Sequence, residues 1–171
     1  MKVSIKNNAQ GGFTLIELIV VIVILGILAA TALPKFASLG GDARMASLNA
    51  AKGALSATAA MARGKFLVDP SVAKALKLTV EGTEMTLLAN GYPQADKATA
   101  EAAGLKDGTD YTVYTATVTG GPTVPASSIA LVPNSLVGTT NAGNCFVTYT
   151  VTSTTAPVVQ LASTATAANC N

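Results

Sequence analysis

The chain has 171 residues, 50% of them hydrophobic, with 11 basic and 9 acidic side chains, two cysteines, and neither histidine nor tryptophan. That length holds one globular domain beyond a membrane segment, and the near-balanced charge of +2 leaves no basic field for nucleic acid and no acidic tail. No phosphate loop, nucleophile elbow or metal-ligand cluster occurs, so the composition and motifs argue against an enzyme.

Residues 1–12, MKVSIKNNAQGG, carry Lys2 and Lys6 and no acid. The apolar run that follows, residues 13–33, has Glu17 as its only charge. As a helix it would be about 31 Å long, matching the ~30 Å hydrocarbon core of a bilayer. The two lysines keep the start of the chain on the cytoplasmic side and send the rest across. In a secretory signal peptide the small-residue cleavage site follows an apolar region of only ~7–15 residues. Here the small pair Gly11-Gly12 precedes the run, so a cut after Gly12 would leave the apolar helix on the mature protein with Phe13 first. Losing Lys2 and Lys6 from the 11 basic residues leaves 9 against 9 acids.

Leu48, Ala51, Leu55, Ala59, Ala62 and Phe66 recur at helical spacing, predicting an amphipathic continuation that needs a sheet to cover it. A helix from Thr14 to Phe66 would be roughly 80 Å long. Its other face, with Lys52, Arg63 and Lys65, would stay available to neighbouring molecules. Pro34 conflicts with the carbonyl of Ala30 and predicts a kink. Gly40-Gly41 is a second weak point, at ~1 kcal/mol per glycine against alanine. An unbroken helix is favoured there over a break with a fresh start capped by Asp42.

Beyond Phe66, Asp69-Pro70 predicts a short helix to Leu76, and the stretches flanking Glu81-Gly82 predict a hairpin followed by a turn at Asn90-Gly91-Tyr92-Pro93. Asp96 to Ala103, closed by Gly104, reads as another short helix. The Thr-, Val- and Tyr-rich remainder predicts strands over 111–118, 128–132, 145–151 and 158–161, the first with no plainly apolar face and so a weakly specified register. The segments 120–122 and 138–143 read as solvated loops. Asp107 and Asp110 beside Gly108 fit an ordinary turn better than a calcium site.

The run Gly12-Phe13-Thr14-Leu15-Ile16-Glu17, followed by apolar residues with Pro34 near their end, resembles the type IV prepilins. Pro34-Lys35-Phe36, Asp42-Ala43-Arg44, Gly91-Tyr92-Pro93 and Cys145-Phe146-Val147-Thr148-Tyr149 resemble the mannose-sensitive haemagglutinin subgroup, a type IVa major pilin. The resemblance implies an α+β fold with a long N-terminal helix packed on an antiparallel sheet. It divides the chain into a cleaved leader (1–12), a transmembrane and filament-core helix (13–34), an amphipathic half-helix (35–66) and a head (67–171).

The resemblance further implies cleavage by prepilin peptidase after Gly12, N-methylation of Phe13, and assembly into a pilus that serves adhesion, biofilm formation or motility. The implied partners are identical subunits, minor pilins, the peptidase, an inner-membrane platform protein and, through it, an assembly ATPase. The implied location is the inner membrane with the head in the periplasm, then the cell surface. No cofactor or metal is implied. An acid in a membrane helix costs about 2.5–3.5 kcal/mol at its centre and is usually paired or functional. In the family Glu17 would meet the Phe13 amine of a neighbouring subunit, the alternative being an acid hydrated at the interface. Cys145 and Cys170 lie on the translocated, oxidising side, where a disulfide is favoured over a metal site, and pilins carry such a bond near the C-terminus. Two rival readings remain: a type II secretion pseudopilin, against which the cysteines count, and a membrane-anchored periplasmic protein that never polymerises.

Overall fold

The computed structural model describes residues 13–171, so the expectations for residues 1–12 lie outside it. The chain divides into two units, one ending at Ala37 and the other running Ser38–Asn171, and helix α1 (Leu15–Val68) contributes to both. In the first unit α1 is apolar on every side. Its window Leu15–Leu33 spans 19 residues at a mean hydropathy of 2.8 and none of it is buried, as expected of a surface that meets lipid or other apolar helices.

In the second unit α1 stays helical across Gly40-Gly41, so no fresh start forms at Asp42. Leu48, Ala51, Leu55, Ala59 and Ala62 are all buried, as their spacing predicts, and Phe66 is half-buried. The cover is a four-stranded antiparallel sheet in the order β3-β4-β5-β6, where β3 is Tyr111–Tyr114, β4 Ser128–Pro133, β5 Val147–Thr150 and β6 Val158–Leu161. Leu48, Ala51, Leu55 and Ala59 share one core with Val113, Ile129, Leu131, Val147 and Tyr149. All six residues of β4 are buried, so this central strand is covered on both faces.

The first predicted strand is shorter than its sequence suggests. Beyond Tyr114 the hydroxyl of Thr117 accepts from the Val124 amide at 2.8 Å and donates to the Val124 carbonyl at 3.2 Å. This local side-chain bonding replaces a ladder. Within β3 the alternation does resolve, with Tyr111 and Val113 buried. The 145–151 prediction likewise contracts to β5.

A second, smaller core lies at the C-terminal end of α1. There Ala62, Met85 and Leu87 are buried, with Val72 of α2 (Pro70–Ala75) and Leu78 and Val80 of the β1–β2 hairpin (Lys77–Val80, Thr83–Thr86) packed against them. Asp69 caps α2, and Glu81 and Gly82, with φ of 48° and 85°, make the tight turn that the sequence predicts. Asp96 caps α3 (Lys97–Ala102) by accepting from the Thr99 amide at 2.9 Å.

Two tyrosines tie the layers together with hydrogen bonds. Tyr111 on β3 donates to the Ser47 carbonyl of α1 at 3.0 Å, and Tyr149 on β5 donates to the Pro93 carbonyl at 2.8 Å. Burial pushes the Tyr149 phenol well above its ordinary pKa, so it stays a donor. Truncating the stripe should be costly: Leu55→Ala should destabilise the head by about 2–5 kcal/mol, and Leu67→Ala, on the exposed face, by less than about 0.5 kcal/mol. Urea unfolding of the detergent-solubilised protein, followed by tyrosine near-UV dichroism, measures both.

Candidate functional site

The features that suggest a function concentrate at the start of α1. Phe13 is 91% exposed and directly precedes the first turn. The Glu17 carboxylate folds back onto that turn, accepting from the Thr14 amide at 2.9 Å and from the Thr14 hydroxyl at 2.8 Å, while the Glu17 amide donates to Thr14 Oγ1 at 3.3 Å. This reciprocal pattern is a capping box. It satisfies N–H groups that would otherwise have no partner in an apolar medium, where an unsatisfied donor is expensive. The sequence carries the signature in Thr14-Leu15-Ile16-Glu17, a signal not used in reading Glu17 as an assembly residue alone. The carboxylate therefore engages the residue next to Phe13, at the start of a helix that carries no other charge before Lys35.

Residues 7–33 match the prokaryotic N-terminal methylation motif. Two fimbrial proteins of Pseudomonas aeruginosa are each 32% identical to the chain over 149 residues, covering 85% of it and 90% of each of them. The chain belongs to the type IV pilins. The type IV narrow pilus major component PilA5 of Thermus thermophilus is 49% identical over 93 residues, which is 54% of this chain and 60% of that protein. No solved structure matches the chain significantly. Membership makes the pilin a structural subunit of a pilus rather than an enzyme.

Among the other residues singled out in the sequence, Cys145 and Cys170 of the pilin are joined in a disulfide, both fully buried. Gly12 lies outside the described residues. Asp107 is engaged by the protein's own donors. Its Oδ2 accepts from Lys97 Nζ at 2.6 Å and its Oδ1 from the Val113 amide at 2.8 Å, and the described residues contain no group of three or more metal-ligand side chains. The Asp110 carbonyl accepts from the Asn134 amide at 3.0 Å.

The expected free basic face of α1 needs correction. Lys52 is exposed, but Lys65 pairs with Asp69 at 2.9 Å, and Arg63 turns inward. Its guanidinium lies 5.6 Å from the ring centres of both Phe66 and Tyr92 and donates to the Asn90 carbonyl. Asn90 Nδ2 then donates to the carbonyls of Thr152 and Thr155 at 3.0 and 3.1 Å, tying α1 to the β5–β6 loop. Gly91, at φ 80°, lies against the Phe66 ring where a side chain would collide. Spacing alone placed Arg63 opposite the core stripe; its aromatic partner Tyr92 is distant in sequence, so helical periodicity could not find it. Arg63→Ala should release the Asn90–Pro93 turn and the β5–β6 loop, raising the proteolysis rate there several-fold. Arg63→Lys should rescue only in part, because an ammonium lacks the planar fork that stacks between two rings.

Two of the pilin's carboxylates are held below the ordinary range. For Asp69 the Ser71 hydroxyl is the main cause, followed by Lys65; for Asp107 it is the Lys97 ammonium, followed by the Val113 amide. A depressed folded-state pKa stabilises the head fully above the unfolded value of ~3.9, and the effect is lost as pH falls through the folded value. The midpoint of thermal unfolding should therefore fall as pH drops below about 4, and Asp107→Asn should flatten that decline. A pH series of melting curves on both proteins checks the difference.

Proposed function

We propose that the chain is made as a prepilin, cut after Gly12, methylated on Phe13, and polymerised through pairing of Glu17 with the Phe13 amine of a neighbouring subunit. The observation that carries this reading is the position of the Glu17 carboxylate, the only charge in residues 13–33, engaged with the residue next to Phe13 at the start of the helix. A cut after Gly12 creates a cation at that end. Bringing both charges into an apolar filament core is costly unless they meet, so the pair selects the stagger between subunits. Heterologous contacts that do not close into a ring then extend a helical filament.

In this reading residues 1–12 are a cytoplasmic leader, residues 13–34 hold the subunit in the inner membrane before assembly, and the head waits in the periplasm. Pro34, which removes the hydrogen bond to the Ala30 carbonyl, provides a bending point. Prepilin peptidase, an inner-membrane platform protein with its assembly ATPase, and minor pilins are the partners. The surface pilus serves adhesion, biofilm formation or motility, as a major pilin of the mannose-sensitive haemagglutinin type.

Two substitutions separate the roles of Glu17. Glu17→Gln keeps an acceptor for the capping box but removes the charge, whereas Glu17→Val removes both. Both variants should insert into the membrane at least as well as wild type and both should lower sheared filament yield at least ten-fold. Full yield from Glu17→Gln would show that Glu17 is a cap and nothing more. Gly12→Val should leave residues 1–12 attached. Mass spectrometry of wild-type filaments should find a subunit starting at methylated Phe13, and a subunit starting at Met1 would instead favour an anchored protein that does not polymerise.

A further inference from the structure

The segment that closes the disulfide loop lies directly on α1 at its weakest point. Gly40 and Gly41 are consecutive glycines within an otherwise continuous helix, and glycine is among the poorest helix formers. Gly41 is buried, and a side chain there would collide with the carbonyl of Ala167. At Gly40 a Cβ would come within 3.2 Å of Asn171 Oδ1. One turn on, Arg44 Nη1 donates to the Cys170 carbonyl at 2.8 Å and Arg44 Nε donates to Ser135 Oγ at 2.8 Å. The tail is fixed from its other side by the buried Cys145–Cys170 bond and by Asn141 Nδ2, which donates to the Asn171 carbonyl at 2.9 Å.

We propose that residues 166–171 act as a brace that keeps α1 helical across Gly40-Gly41, and that the closed disulfide is what holds the brace in place. A side chain at 41 would strengthen the helix by propensity but would push the tail backbone away, whereas at 40 it would press only on the Asn171 side chain. Glycine at these positions exchanges local helix strength for a docking groove. The first turns of α1 within the second unit then depend on the tail: with it docked they are rigid, and with it released they fray while the stripe from Leu48 to Ala62 stays packed. Burial of both sulfurs protects the bond once the tail is seated.

The test perturbs one side of the contact and reads the other, using the full-length protein in detergent micelles and hydrogen exchange by mass spectrometry. Arg44→Gln, with the disulfide intact, should accelerate exchange of residues 39–47 at least five-fold while residues 51–62 stay within two-fold of wild type. Cys170→Ser should accelerate the same segment at least ten-fold. Conversely, Gly41→Ala should accelerate exchange at the Cys170 amide, which donates to the Thr166 carbonyl at 2.9 Å, at least five-fold despite its better helix propensity. Unchanged exchange over 39–47 in Arg44→Gln overturns the proposal, as does equal acceleration over 51–62. An unperturbed tail in Gly41→Ala overturns it too. If Cys170→Ser loosens the whole head, the disulfide-intact variants decide.

Discussion

Burial of Leu48, Ala51, Leu55 and Ala59 against the inner face of the sheet is the contact on which the rest of the head depends. Four strands of four to six residues offer little hydrogen bonding of their own, and a sheet this small is stable only when one face is covered. At ~25 cal/mol per Å² of apolar area, a leucine fully removed from water contributes roughly 1.5–3 kcal/mol, so the four positions outweigh any ion pair on the surface. Alanine at every second position of the stripe lets the sheet approach the helix closely enough for Ile129, Leu131 and Tyr149 to fill the space between the leucines. The same helix in its first unit presents apolar side chains all round, a surface suited to lipid or other apolar helices rather than to a shaped protein surface.

The polar contacts refine this packing. The ion pairs Lys65–Asp69, Lys77–Glu84 and Lys97–Asp107 all have substantially exposed lysines, where screening and side-chain entropy leave little net gain. The polar contacts that matter join elements distant in sequence. Arg63 reaches the Asn90 turn, Tyr111 reaches Ser47, Tyr149 reaches Pro93 and Arg44 reaches Cys170. Each satisfies a backbone carbonyl that packing would otherwise leave with fewer partners than it has lone pairs. Such contacts specify which loop lies over which part of the helix, a choice that non-directional burial leaves open.

The division between what the sequence disclosed and what it hid follows from the range of the interactions. The amphipathic stripe, the caps at Asp69 and Asp96, the Glu81-Gly82 turn and the extent of β6 are set within a few residues, and all were legible. The two cysteines were paired correctly because compartment and family pointed the same way. What failed was set by contacts that a repeating pattern of apolar residues does not encode, whether near in sequence or far. The loss of the strand beyond Tyr114 depends on Thr117 meeting Val124, and the inward turn of Arg63 depends on Tyr92. At Gly41 the helix runs on unbroken, as expected, but only the position of Ala167 shows that the absent side chain makes room for a neighbour.

Thr14 and Glu17 illustrate how one residue pair can serve two demands. A helix that begins in an apolar medium has no water for its first N–H groups, so a side-chain acceptor at the third helical position is needed whatever the protein does. A glutamine would meet that need without importing a charge, since capping boxes accept either residue. The chain carries glutamate, at an insertion cost that decreases toward the interface but does not vanish. Capping therefore explains the position and hydrogen bonding of Glu17 but leaves its charge unexplained. In the pairing proposed above, the cation is the amine that cleavage after Gly12 would create on Phe13. Within one subunit the carboxylate is already engaged by Thr14. Both bonds fall on Oε2, so in the proposed pairing the cap can stay closed while Oε1 meets the partner's cation.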